Sequence, residues 1–206
     1  GYATFANGGF KVEPYLLQEL DSINSDVTFK ADPVVACLSN CAGLNQATRV
    51  VEPRVAHIMD SMLSDAIRKG TGTKAMRSLK RGDLRGKTGT TNDADIWFSG
   101  FTPDLVATTW AGFSNNSPVG NREWGSTTPL ETWIEFMAGA LPNESHSKSL
   151  PRPDGIVSVK IDPETGLRTN PADRDGIFEI FREERVPTLS SLDEEIEEAD
   201  ISQQIF

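Results

Sequence analysis

Three β-prone runs joined by very short links constrain this chain more than any other feature. They are Leu84–Thr91, Ile96–Phe101 and Leu105–Phe113, the last two rich in β-branched and aromatic residues. Thr102-Pro103-Asp104 makes a tight turn between the second and third. Links this short leave no room for a crossover, so the runs predict an antiparallel meander. A helix is expected on either side of it. Upstream, Glu52–Lys69 has Pro53 in its first turn, and Val55, Ile58, Met59, Met62, Leu63, Ala66 and Ile67 fall on one face. Arg68 and Lys69 complement the negative helix end, and Gly70 stops it. Downstream, Thr128-Pro129-Leu130-Glu131 reads as a capping box. It opens a helix with Leu130, Trp133, Ile134, Met137 and Leu141 on its apolar face, stopped by Pro142. The fold class is α+β, an antiparallel sheet packed against helices.

The remaining segments carry weaker signals. Gly1–Gly9 reads as the last turns of a helix, with glycine taking the left-handed stop. A start of that kind is expected of a piece cut from a longer parent. Phe10–Val12 and Tyr15–Leu20 suggest strands, with Pro14 at an edge or break. Ser22–Asn45 is polar and irregular, and no element is assigned there. Gly70–Thr73 and the basic Lys74–Arg81 read as a connector, and Ser114–Gly125 as a polar loop. His57 falls off the apolar helix face and reads as a surface histidine. Ile156–Ile161 alternates and precedes the turn signal Asp162-Pro163-Glu164-Thr165-Gly166, which suggests a small hairpin. These signals divide the chain into 1–150, a small β-rich extension at 151–182, and an acidic tail at 183–206 expected to be mobile.

Composition excludes some functions. With 37% hydrophobic and 24% charged residues, the chain has enough apolar material for a core. No apolar run approaches the roughly 18 residues of a membrane span. A formal charge of −10 without a basic cluster argues against nucleic acid. Cys37 and Cys41 are compatible with two free thiols or with a local disulfide in an oxidising compartment. With His57 and His146 as the only histidines, a metal site lacks ligands, and no cofactor is expected.

The chemistry concentrates in Arg85-Gly86-Lys87-Thr88-Gly89-Thr90-Thr91. A phosphate-binding loop would need two glycines four residues apart before the lysine and a helix opening after it. Gly82 and Gly86 are one residue too close, and strands follow. On a strand, alternation puts Lys87 and Gly89 on one face and Thr88 and Thr90 on the other. Gly89 lets another backbone or a ligand approach closely. Such an edge offers N–H groups, hydroxyls and one ammonium to an extended peptide bearing a carboxylate. The plain alternative is a surface strand with a solvated lysine.

The residues around the tripeptide favour the first reading. Gly86–Asn92 followed by Trp97-Phe98-Ser99-Gly100-Phe101 resembles the third active-site motif of class A penicillin-binding proteins. Tyr2–Phe10, the helix Pro53–Lys69 with Gly70-Thr71-Gly72, and Trp110-Ala111-Gly112-Phe113 resemble the same family, as does Arg122-Glu123-Trp124-Gly125. The likeness runs through residues 1–141, with weaker support from Gly155–Gly166. It implies a penicillin-binding, β-lactamase-like transpeptidase fold, of which this chain is a C-terminal part. The implied activity is peptidoglycan cross-linking by a serine DD-transpeptidase that β-lactams acylate. By motif match, Lys87 supplies positive potential and aids proton transfer. Thr88 and Thr90 bind the substrate carboxylate, and the Thr90 N–H forms half of an oxyanion hole. Gly89 keeps the groove open, and Thr91 borders the substrate.

The family's serine motifs should precede Lys87, and none does so convincingly. Ser145-His146-Ser147-Lys148 follows the strand, Ser22-Ile23-Asn24 has no Ser-x-x-Lys before it, and Ser114-Asn115-Asn116 lies after Lys87. All three read as chance matches. The nucleophile is therefore expected in an upstream portion of the same protein, and the isolated chain is expected to be inactive. The implied partners are peptidoglycan stem peptides, β-lactams and that upstream portion, with contact to the membrane only through an N-terminal anchor of the parent. The implied location is the bacterial periplasm, at the outer face of the inner membrane. Two other readings stand beside this one: a serine β-lactamase or DD-carboxypeptidase, and a non-catalytic peptidoglycan- or partner-binding domain.

Overall fold

The structure is a computed structural model and describes residues 1–21, 28–142, 150–170, 172 and 174–190. The chain divides into two compact units, Gly1–Pro151 and Arg152–Phe206.

The first unit is built around the meander. Strands β5 (Arg85–Thr91), β6 (Asp95–Phe101) and β7 (Val106–Gly112) form an antiparallel sheet in that order, with Thr88 opposite Phe98 and Trp97 opposite Trp110. Helix α2 (Pro53–Arg68) packs beside β5, and α4 (Thr128–Ala140) packs beneath β6 and β7. The core joins Ile67, Ala75, Leu84, Phe98, Leu130, Trp133 and Met137. Phe98 and Trp133 meet edge to face at 5.0 Å, and the Trp133 indole N–H donates to the Ala107 carbonyl.

Several expectations are corrected in detail. The segment Thr73–Leu79, read as a connector, is a helix (α3) that packs against α2 and α4, ended by Lys80 in the left-handed conformation. Its seven residues are too few to show a helical period in sequence. The α4 capping box does not form: the cap falls on Thr127, Thr128 donates to Glu123, and Glu131 pairs with Lys74. On α2, Ala56, Leu63, Ser64 and Ile67 are buried, whereas Val55 and Met62 are exposed. The buried stripe is thus rotated from the one the apolar spacing marks. His57 is half-buried rather than on the surface.

Helix α1 (Tyr2–Ala6) ends with Gly8 at φ +85°, the left-handed stop expected there. Strand β1 is only Phe10–Lys11 and pairs with β4 (Thr48–Arg49). Of the expected strand Tyr15–Leu20, only the end is realised: β2 is Glu19–Asp21, paired with β3 (Thr28–Lys30), while Leu16 stands fully exposed. Cys37 and Cys41 form a disulfide.

In the second unit, β8 (Ile156–Ile161) pairs with β9 (Ile177–Arg182) rather than closing a hairpin at Gly166. The turn signal itself is realised. Asp162 accepts hydrogen bonds from the Glu164 and Thr165 N–H groups, which holds its carboxyl below the usual range. The chain then returns only as a single bridge at Arg168 before β9. Within 183–206, Glu183–Arg185 forms a 3-10 turn and Ser190 donates its N–H to the Arg168 carbonyl; residues 191–206 lie outside the described residues.

Candidate functional site

Strand β5 is an edge strand among the described residues, since β6 is its one partner. Its beginning is fixed from behind. Arg85 donates from Nε and Nη2 to both carboxylate oxygens of Asp60 on α2, each at 3.0 Å, and both side chains are largely buried. This bidentate fork ties the strand to the helix with a defined orientation. Just before it, Arg81 and Asp83 form a second buried fork at 3.0 and 2.6 Å. Gly86 lies under the Phe98 ring, and a Cβ there would stand 2.8 Å from it.

Past Gly86 the strand comes to the surface. Lys87 and Thr88 belong to opposite faces by alternation, yet the structure brings their polar ends together. The long lysine stem curls back, and Nζ donates to the Thr88 carbonyl at 3.1 Å and to Thr88 Oγ1 at 3.3 Å. Thr88 Oγ1 also lies 2.8 Å from Thr71 Oγ1, on the connector after α2. An ammonium and two hydroxyls therefore meet at one exposed point.

Backbone does approach Gly89 closely, but the glycine that permits it is Gly125; a Cβ on Gly89 itself would meet the Trp97 side chain, 3.3 Å from its Cβ. The loop after β7 lays Gly125 on the β5–β6 ladder, where a Cβ would stand 2.4 Å from the Trp97 carbonyl oxygen and 2.6 Å from that of Gly89. No side chain fits there. The Gly125 N–H donates to Thr90 Oγ1 at 3.1 Å, so the Thr90 hydroxyl oxygen is engaged by this loop while its hydrogen remains a donor. Thr91 is exposed at the end of the strand, and its carbonyl accepts from the Ala94 N–H in the turn to β6.

The loop is itself anchored. Glu123 accepts hydrogen bonds from Thr127 Oγ1 at 2.7 Å and Thr128 Oγ1 at 2.9 Å, and these hold its carboxyl below the usual glutamate range. Trp97 and Trp110, both partly exposed, lie 5.9 Å apart on the sheet, and Trp110 Nε1 donates to Asp95.

Neither Thr71 nor Asp60 was singled out from the sequence. Gly70-Thr71-Gly72 pointed at the connector without saying which strand residue it would meet. Of the three serine matches, Ser114-Asn115-Asn116 forms a local turn in which Asn115 Oδ1 accepts the Ser117 N–H. Ser22-Ile23-Asn24 and Ser145-His146-Ser147-Lys148 lie outside the described residues.

A helix-flanked antiparallel meander with Lys-Thr-Gly on its edge strand defines the class as the penicillin-binding transpeptidase fold. The comparisons make this particular. The family model described as penicillin binding protein transpeptidase domain matches residues 1–128, and the chain belongs to that family. It is 36% identical over 225 residues to penicillin-binding protein 1A of Pseudomonas aeruginosa, covering 90% of this chain and 27% of that protein. It is 33% identical over 226 residues to penicillin-binding protein 1A of Vibrio cholerae, covering 91% and 27%. The crystal structure of penicillin-binding protein 1A from Haemophilus influenzae superposes with a TM-score of 0.77 at 34% identity, covering 92% of this chain and 32% of that one. The chain thus spans about a quarter of the length of the curated relatives it matches.

Proposed function

We propose that this chain supplies the Lys-Thr-Gly wall of a serine DD-transpeptidase site that cross-links peptidoglycan, with the nucleophilic serine provided from outside these 206 residues. The observation that carries the reading is the meeting of Lys87 Nζ with the Thr88 hydroxyl on an exposed strand edge, behind which Arg85 and Asp60 fix the strand.

The serine oxygen attacks the D-Ala-D-Ala carbonyl carbon, and the peptide C–N bond breaks. D-alanine leaves carrying the proton, and an acyl-enzyme ester remains. The amine of a second stem peptide then attacks the ester, forms the cross-link and returns the proton to the serine. In this scheme Lys87 lowers the cost of moving the serine proton and draws the substrate carboxylate toward the strand. Thr88 and Thr90 bind that carboxylate. The Thr90 N–H stabilises the tetrahedral oxyanion, a contribution of about 3 kcal/mol for one such donor. Gly89 leaves the ligand side of the strand open, and Thr91 borders the next substrate residue. The same site would be acylated by β-lactams. The parent protein would work in the periplasm, anchored at the outer face of the inner membrane.

Intact-mass analysis of the full-length protein after penicillin exposure tests this. One acyl adduct on a serine upstream of residue 1 supports the scheme. An adduct on Ser145 or any other serine of this chain would overturn the split-site arrangement. No adduct at all would leave a peptide-binding domain without the chemistry.

A further inference from the structure

We infer that Thr71 is a further carboxylate-binding residue of the site, acting with Thr88 as a paired hydroxyl clamp; this rests on the transpeptidase reading above.

The connector is shaped to deliver this side chain. Directly after α2 the backbone folds back on its own last turn, with the N–H of Gly70 on the Asp65 carbonyl and that of Gly72 on the Ala66 carbonyl. Gly72 is buried, and a Cβ there would stand 2.6 Å from Ile67 Cδ1, so a side chain at this position would require Ile67 to shift. Thr71 is left exposed at the tip with its Oγ1 2.8 Å from Thr88 Oγ1.

Hydrogen counting then fixes what the pair can do. Lys87 has no acceptor capacity, so its Nζ donates to Thr88 Oγ1 at 3.3 Å. Of the two hydroxyl hydrogens, only one can lie between the threonine oxygens. If Thr88 donates to Thr71, the Thr71 hydrogen is left over; if Thr71 donates, the Thr88 hydrogen is. In either arrangement one O–H, polarised by the ammonium, has no acceptor within the cluster. An arriving carboxylate takes that hydrogen. By displacing the Thr71–Thr88 bond it can also take the second, one for each of its oxygens. Hydrogen bonds to a charged acceptor are stronger than the neutral bond they replace, so the exchange favours a ligand with a free carboxylate over one carrying an ester or amide at that position. The clamp would therefore select for the terminal carboxylate of a peptide or of a β-lactam.

The test uses the full-length protein and two acylating probes, benzylpenicillin and its methyl ester. Thr71→Ala and the isosteric Thr71→Val should each slow acylation by the acid on the order of ten- to a hundredfold, the loss expected for a hydrogen bond to a charged group. Acylation by the ester should be unchanged, and Thr71→Ser should restore the wild-type preference. Equal slowing with both probes would assign Thr71 a purely structural place and overturn the proposal, as would unchanged rates with both. Failure of the wild-type protein to be acylated by either probe would overturn the transpeptidase reading first, and the clamp with it.

Discussion

Arg85 and Gly86 begin β5, and Lys87 to Thr91 end it, within one continuous ladder to β6 but in contrasting surroundings. At the beginning, Arg85 is 12% exposed and both of its paired donors are consumed by Asp60. Gly86 is sealed beneath Phe98. At the end, Lys87, Thr90 and Thr91 are exposed, and the polar groups keep donors to spare. The difference shows how a strand can be held rigidly without using up the groups it presents. Rigidity comes from a buried ion pair and an aromatic ring on residues that take no part in the proposed chemistry.

Four experiments would break or sharpen this contrast. Lys87→Ala should have the largest effect, lowering penicillin acylation of the full-length protein by roughly 10²–10⁴, the range for a proton-transfer group. Its melting temperature should stay within error of wild type, because the lysine is exposed. A large fall in stability would erase the contrast.

Asp60→Ala should do the reverse. Leaving Arg85 largely buried without its partner should cost about 3 kcal/mol of stability in denaturant unfolding. Acylation of the fraction still folded should change much less than with Lys87→Ala. Equal losses in both measurements would mean that the fork and the lysine act as one unit.

Gly125→Ala falls between the two halves, because its Cβ would press on the ladder at Gly89 and Trp97. Overpacking there should cost about 1–3 kcal/mol and slow acylation as the edge shifts. A neutral variant would show that the loop yields and that its seat on β5 is not required.

The smallest effect concerns pH. Glu123 is held below the ordinary glutamate value of about 4.3 by the Thr127 and Thr128 hydroxyls, which bind its charged form. With the folded value depressed, its contribution is complete above the ordinary value and fades as pH falls through the folded one. Protection of the Gly125 and Thr127 amides, measured against their intrinsic exchange rates, should therefore fall as pH drops below the ordinary glutamate value. Titration of the Glu123 carboxyl at the ordinary value would remove the anchor from the account of the loop.

The sequence by itself determined the meander, the two long flanking helices, the left-handed stop at Gly8 and the strand that carries Lys87. Each is written in local terms: residue types with a period of two or near 3.6, bounded by turn formers a few positions away. Signals too short to show a period were lost, as with the helix Thr73–Leu79 and the two-residue strand Thr48–Arg49. Tertiary structure alone decided which groups meet. Asp60 joins Arg85 across 25 residues, Thr71 reaches Thr88 across 17, and Gly125 seats on Thr90 across 35. It also rotated the buried stripe of α2 away from Val55 and Met62, and gave β8 its partner beyond the turn that seemed to close it. The reason is physical. A propensity or a turn acts over a few bonds, whereas these pairings follow from how packed elements are placed once their apolar faces are buried, and no local pattern encodes that placement.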